Sequence, residues 1–262
     1  MKTEDWTHKR FVRSRIPHWK CPTCNSATLI LENQIIEKPS SEAQNFPKEY
    51  YNEYTGNNEP YPDIEDFPGL NGRFSFFLRC PNITCKEHVQ VSGVMNSEFY
   101  YYNEEYSHEL VNCYCPKYID PPIHIINIHE NYPERIKNIL TDSFLLYWID
   151  NSACANKIRT AIEFILDEIK IQKRVLNKKK KYEKLSLHKR IEILEKKDKK
   201  TSSYLMSIKW IGNSGSHLDT LTNTNVLDAY ELLDKALNRL FVKDEERLES
   251  LSKKINRMKK PF

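Results

Sequence analysis

The sequence predicts an α+β protein: a small β-rich N-terminal domain followed by an antiparallel bundle of four to five helices. Two observations carry that prediction. Near residue 130 the apolar pattern changes from short runs broken by Pro, Asn and Gly to long stretches with a period near 3.6. Two cysteine pairs also sit in the first half, each in a turn-like setting beside β-rich sequence.

The β-rich runs are 28–36, 72–79, 88–94, 98–102 and 123–128. Residues 38–66 read as a loop insertion, with several Pro, Gly and Asn and no clear period. Its acids, among them Glu49, Glu53 and Glu59, interleave with Tyr50, Tyr51, Tyr54 and Tyr61. Two readings stay open there, a poorly ordered loop or a surface that recruits a protein partner.

In the second half, a first helix opens at Pro133 and buries Ile136, Ile139, Leu140, Phe144 and Leu145. From Ala155, the residues Ile158, Ala161, Ile162, Ile165, Leu166 and Ile169 line one helical face. Shorter helices are expected around 187–196 and 202–213, with a basic insert at 173–185 before them. Val226, Ala229, Tyr230, Leu233, Ala236, Leu237, Leu240 and Phe241 repeat the helical period more cleanly still. The segment 244–260 is amphipathic, with Leu248, Leu251, Ile255 and Met258 on one stripe, and either closes the bundle or docks on a partner. The domains are therefore drawn at 1–130, 131–243 and 244–262.

The chain has 262 residues, 39% hydrophobic and 29% charged, an ordinary globular balance that disfavours global disorder or a fibrous repeat. Net charge is only +4, but its distribution is uneven. Lys2, Lys9, Arg10, Arg13, Arg15 and Lys20 crowd the N-terminal arm, and residues 173–200 hold thirteen Lys/Arg against four acids. Such segments are solvated faces or polyanion contacts. No apolar run approaches the ~18 residues of a membrane span, and no signal-peptide core follows the charged N-terminus. A cytoplasmic protein is expected, whose cysteines serve metal binding or burial rather than disulfides.

Cys21-Pro-Thr-Cys24 and Cys80-Pro-Asn-Ile-Thr-Cys85 fit a zinc ribbon, in which two tight loops each donate two thiolates to a tetrahedral ion. The second loop is two residues longer than the usual spacing. A four-thiolate site has no open coordination position, so the zinc is expected to be structural. Cys113 and Cys115, two apart on a strand, either replace Cys80 or Cys85 or form a buried pair. Cys154, between two alanines, reads as core.

The segment Ile208-Lys-Trp-Ile-Gly-Asn-Ser-Gly-Ser-His217 spaces Lys209, Asn213 and His217 one helical turn apart. A cation, an amide and an imidazole would then share one face. The other reading has Gly212 and Gly215 ending a helix, with Asn213 as cap and His217 in the core.

Taken with Arg159-Thr-Ala-Ile-Glu163, Leu187-His-Lys-Arg-Ile191 and the Pro-rich Tyr118-Ile-Asp-Pro-Pro-Ile-His-Ile125, this segment resembles the family known as domain of unknown function 4145. The resemblance covers about residues 133–243, and many members carry a zinc-ribbon-like front end. That family is related to the HEPN superfamily of helical bundles. The resemblance implies a HEPN-like bundle, usually dimeric, linked to toxin–antitoxin, restriction or phage-defence systems and often a metal-independent ribonuclease. HEPN ribonucleases carry an Arg, commonly followed by Asn, and then a His one turn later. Asn213 and His217 match the last two elements, while Gly212 stands where the arginine belongs. Lys209 or Arg159 would have to supply the missing cation, with Glu163 to orient Arg159 or His217. Arg159 and Glu163 equally read as an ordinary i,i+4 ion pair.

Three functions follow as expectations. In the first, the protein is a HEPN-like antiviral-defence endoribonuclease, with His217 as general acid/base, Asn213 positioning, Lys209 or Arg159 stabilising charge, and the basic segments gripping RNA. In the second, it is a non-catalytic nucleotide- or nucleic-acid-binding or partner-recruiting module with a structural zinc ribbon. A DNA-binding regulator ranks last, since no helix-turn-helix is evident.

Overall fold

A computed structural model describes residues 4–45, 71–101, 108–176, 180–214 and 221–258. The chain divides into two compact units, one over Thr3–Ile123 and one from His124 onward.

The first unit is built on an antiparallel sheet of strands β1 (Phe11–Val12), β2 (Ile30–Leu31), β3 (Ile36–Pro39), β4 (Gly72–Arg79), β5 (His88–Tyr101) and β6 (His108–Asp120). Their order is β1-β6-β5-β4-β2, with β3 also paired to β4. Short helices α1 (Glu4–His8) and α2 (Ser41–Asn45) accompany them. Alternation decides which face of β4 is buried: Phe74, Phe76 and Leu78 point inward while Arg73, Phe77 and Arg79 point out. Phe11, Phe74, Phe76 and Tyr114 meet edge-to-face or tilted within 6.3 Å.

The expected runs 88–94 and 98–102 are one strand, β5, with a bulge between Ser92 and Gly93. A Cβ on Gly93 would run into the carbonyl of Cys115, so only glycine allows this close approach. The expected strand at 123–128 does not form. Pro121 and Pro122 lack the N–H groups a ladder needs, and β6 stops at Asp120. Its isoleucines, Ile123, Ile125 and Ile126, are buried nonetheless. Of the 38–66 insertion, Lys38 and Pro39 lie in β3 and α2 follows, while Tyr50, Tyr51, Tyr54 and Tyr61 lie outside the described residues.

The second unit is helical: α3 (Glu134–Tyr147), α4 (Asn151–Glu168), α5 (Leu187–Glu195), α6 (Lys199–Ser214), α7 (Asn223–Leu237) and α8 (Asp244–Met258). The protein is thus α+β. Side-chain caps open two of the long helices. Asp150 accepts from the backbone N–H groups of Ser152 and Ala153 to open α4, and Thr222 and Asn225 form a capping box on α7. The buried stripe of α4 is Cys154, Ala155, Ile158, Ala161, Ile162, Ile165 and Leu166. Tyr230 of α7 donates to Ser143 of α3 at 2.8 Å and lies 3.2 Å from the Cys154 sulfur, so the polar atoms of this core satisfy one another.

The 173–185 insert carries a two-stranded hairpin, β7 (Arg174–Leu176) with β8 (Tyr182–Lys184). After α7 the helix widens into a π-helical turn, Asn238–Val242, that ends on Lys243 in the left-handed region. Among the described residues no helix is long and apolar enough to cross a membrane.

Candidate functional site

In the first unit the two cysteine loops converge. Backbone bonds from Cys21 N–H to Ala27 and from Asn25 N–H to Cys21 tighten the first loop, and Cys80 N–H to Glu87 closes the second. Asn25 and Lys86 take positive φ where each loop turns back. Thr23 donates to Glu87 at 2.6 Å and ties one loop to the other.

The result is a cluster of Cys21, Cys24, Cys80 and Cys85 whose sulfurs all lie within 4.8 Å of one another. Cys21–Cys85 and Cys24–Cys80 are 3.7 and 3.6 Å apart. A tetrahedron with Zn–S bonds of about 2.3 Å has edges of about 3.8 Å, so the donor set and its spacing suit a tetrahedral metal. The Ser26 hydroxyl, backbone donors behind it, lowers the Cys24 thiol to about 5, whereas desolvation pushes Cys80 up to about 12. A metal here must displace protons to bind. Cys113 and Cys115 belong to β6 and are not in the cluster. Burial raises both thiols, Cys113 to about 11.

In the second unit, α4, α5, the base of the β7–β8 hairpin and the start of α3 enclose a cleft of about 470 Å³. Five cations line it, Arg135, Arg159, Lys173, Lys184 and Arg190, against two carboxylates, Glu163 and Asp167. Asp167 is the hub. It takes bonds from Lys173 and Arg190 at 2.7 Å and from Arg135 at 3.3 Å. Desolvation alone would raise its pKa, but the Lys173 and Arg190 hydrogen bonds outweigh it and hold the carboxyl below its ordinary range. Arg190, buried, also donates to the Ile171 carbonyl at 3.0 Å. The Arg135 guanidinium stacks 3.4 Å over the Phe164 ring.

Arg159 is different. Its Nε, like that of Arg190, is buried without a hydrogen-bond partner, but unlike Arg190 it pairs with no carboxylate among the described residues. The i,i+4 pair with Glu163 therefore does not form among them. Its stem runs across Gly212 of α6: a Cβ on that glycine would sit 3.1 Å from Arg159 Cβ and 3.3 Å from the Ala155 carbonyl. A methyl group at 212 would fit only tightly, and a longer side chain would need α4 and α6 to separate.

Of the residues singled out from the sequence, Arg159 and Glu163 line the cleft, and Asn213 follows Gly212 in the last turn of α6. Lys209 is buried elsewhere, its Nζ 3.5 Å from His188 Nδ1 and 3.5 Å above the Trp210 ring, and it does not line the cleft. His217 and Gly215 lie outside the described residues. Sequence reasoning missed Arg135, Phe164 and Asp167. Asp167 was findable, one helical turn beyond Glu163 and two beyond Arg159.

The fold and these two sites define a two-unit α+β protein with a four-thiol cluster in one unit and a cation-lined cleft in the other. Residues 142–260 match the family model described as Domain of unknown function (DUF4145), and that part of the chain belongs to this family. Residues 9–119 match a second, described as Domain of unknown function (DUF8608). No curated protein and no solved structure matches the chain.

Proposed function

We propose that the second unit is a HEPN-like bundle that grips RNA phosphates in the cation-lined cleft and cleaves the strand without a catalytic metal. The setting is a cytoplasmic defence or restriction system of a prokaryote. The observation that carries this reading is Arg159, a guanidinium with a buried, unpartnered donor in a cleft where cations outnumber acids five to two. A phosphate supplies the acceptor that this donor lacks.

In this reading Arg159, packed across Gly212, takes the place of the arginine that the resemblance puts at position 212. His217 moves a proton from the attacking 2′-hydroxyl or to the leaving oxygen. Asn213 positions the phosphate, Arg159 stabilises its extra charge in the transition state, and Glu163 orients the imidazole. Lys209, turned toward His188, is left a structural part. The four cysteines hold a structural zinc in a ribbon-like front unit, which bears the basic arm and the acidic tyrosine segment suited to a protein partner. The assembly is a homodimer.

The test is cleavage of a panel of single-stranded and structured RNAs with EDTA present. The parent protein cuts, and His217→Ala, still folded, does not; equal cutting by both contradicts the assignment.

A second reading, a non-catalytic RNA- or nucleotide-binding module, is favoured by the same contact at Gly212, which leaves no cation in the motif's own register. RNA bound with the same dependence on Arg159 but never cut identifies it.

A further inference from the structure

Lys184, which lines the cleft, shares one face of the β7–β8 hairpin with an exposed aromatic ring. The register sets Arg174 opposite Lys184, Val175 opposite Glu183 and Leu176 opposite Tyr182. Residues opposite each other share a face, and so do residues two apart on one strand. Arg174, Lys184, Leu176 and Tyr182 therefore stand on one side, with Val175 and Glu183 on the other. Lys173 and Lys184 line the cleft at the base of the hairpin, and Leu185 N–H closes that base by donating to the Lys173 carbonyl at 2.9 Å. Outward from the cleft, the side that carries Lys184 offers cations first and then an apolar pair.

That pair is wet. Leu176 is 52% and Tyr182 76% exposed, and among the described residues no other aromatic ring lies against Tyr182. Residues 173–184 hold seven Lys/Arg and one acid, Glu183, which the register places on the opposite face. Single exposed apolar residues are ordinary on any surface. Here two stand opposite each other among cations, about 7 Å along the strand from a lysine of the cleft. An unpaired nucleic-acid strand has the complementary alternation, phosphates for the cations and base planes for the ring. A duplex keeps its bases stacked inside and is met through phosphates and 2′-hydroxyls, which leaves the ring nothing to stack on.

We propose that Tyr182, beside Leu176, is a stacking platform for an unpaired base flanking the phosphate held in the cleft, so that the cleft takes single-stranded RNA. This inference rests on the RNA reading of the cleft and adds the form of RNA and the side chain that selects it. The cations set the strength of the grip and its salt dependence. The ring adds no charge and discriminates by what it touches.

The experiment is fluorescence anisotropy of the full chain with three labelled probes: an unstructured oligoadenylate, an abasic strand of the same length and a blunt RNA duplex. All three are 2′-O-methylated so that none is cut through its 2′-hydroxyl. The parent protein binds the oligoadenylate more tightly than the duplex. Tyr182→Ala weakens oligoadenylate binding about tenfold with the salt slope unchanged, and Tyr182→Phe keeps the parent affinity because the ring is retained. The abasic strand and the duplex bind parent and Tyr182→Ala alike, which a merely structural role in the hairpin would not produce. Equal oligoadenylate affinity in parent and Tyr182→Ala, an equal loss on all three probes, or a preference for the duplex overturns the proposal. Failure of the RNA reading looks different: the parent then binds none of the probes, and both readings fall. Binding that weakens in Arg159→Gln but is indifferent to Tyr182→Ala overturns the stacking platform alone.

Discussion

A Cβ on Gly212 would lie 3.1 Å from the Cβ of Arg159, so α4 and α6 cross where one has no side chain and the other has a long basic one. The glycine lets the arginine stem cross close to α6, and Arg159 also lines the cleft.

Restoring an arginine at that position should harm the protein. Gly212→Arg overpacks the crossing and is expected to cost about 1–3 kcal/mol. Gly212→Ala is expected near neutral, since a tight contact offsets the better helix propensity of alanine, about 1 kcal/mol. Chemical denaturation of both variants checks the pair; a stabilised Gly212→Arg protein contradicts the packing described.

The Asp167 hub should matter to stability. Arg190 is buried with a carboxylate and a carbonyl as partners, so Arg190→Ala removes one charge-assisted bond from Asp167, leaving Lys173 and Arg135, and is expected to cost about 1.5–3 kcal/mol. Arg135→Ala, on an exposed arginine, is expected to cost about 1 kcal/mol or less. The contrast between the two in urea unfolding is the test.

Acid should unfold the helical unit partly through the same group. The folded Asp167 carboxyl sits below its ordinary 3.8. Its contribution is therefore complete above that value and is lost as pH falls through the lower folded value. Asp198, held by Thr201 against its own burial, acts in the same direction. Melting temperature is expected to drop as pH falls below about 4, with a shallower drop in Asp167→Asn.

Much of this was legible in sequence because it is local. The 3.6 period gave α4 and α7 with their buried stripes, and the two cysteine loops gave the four-thiol cluster at residue level. What escaped depends on distant partners. Cys113 and Cys115 were read on a strand, but the extent of β6 was hidden because its residues carry no strong alternation, and its pairing with β5 decides it. The cleft was hidden because Arg135, Arg159 and Arg190 come from three helices. The run 173–200 looked like a solvated basic face, yet Lys173 and Arg190 are bound to Asp167. The departure at Gly212 was plain, but the side chain packed against it, Arg159, lies 53 positions earlier.

The cysteine cluster predicts one zinc per chain. Removing it with a strong chelator, or substituting Cys21→Ser, is expected to unfold the first unit, whereas Cys113→Ser and Cys115→Ser retain full metal content. Binding should release protons, Cys80 being pushed up to about 12 without metal. Metal analysis with calorimetry in buffers of different ionisation enthalpy checks both.

The most direct measurement is RNA binding by the full chain against salt concentration, for the parent protein and for Arg159→Gln. If the cleft holds RNA phosphates, Arg159→Gln weakens binding about tenfold or more and reduces the salt slope by about one. Equal affinity and equal slope in the two proteins would contradict the account.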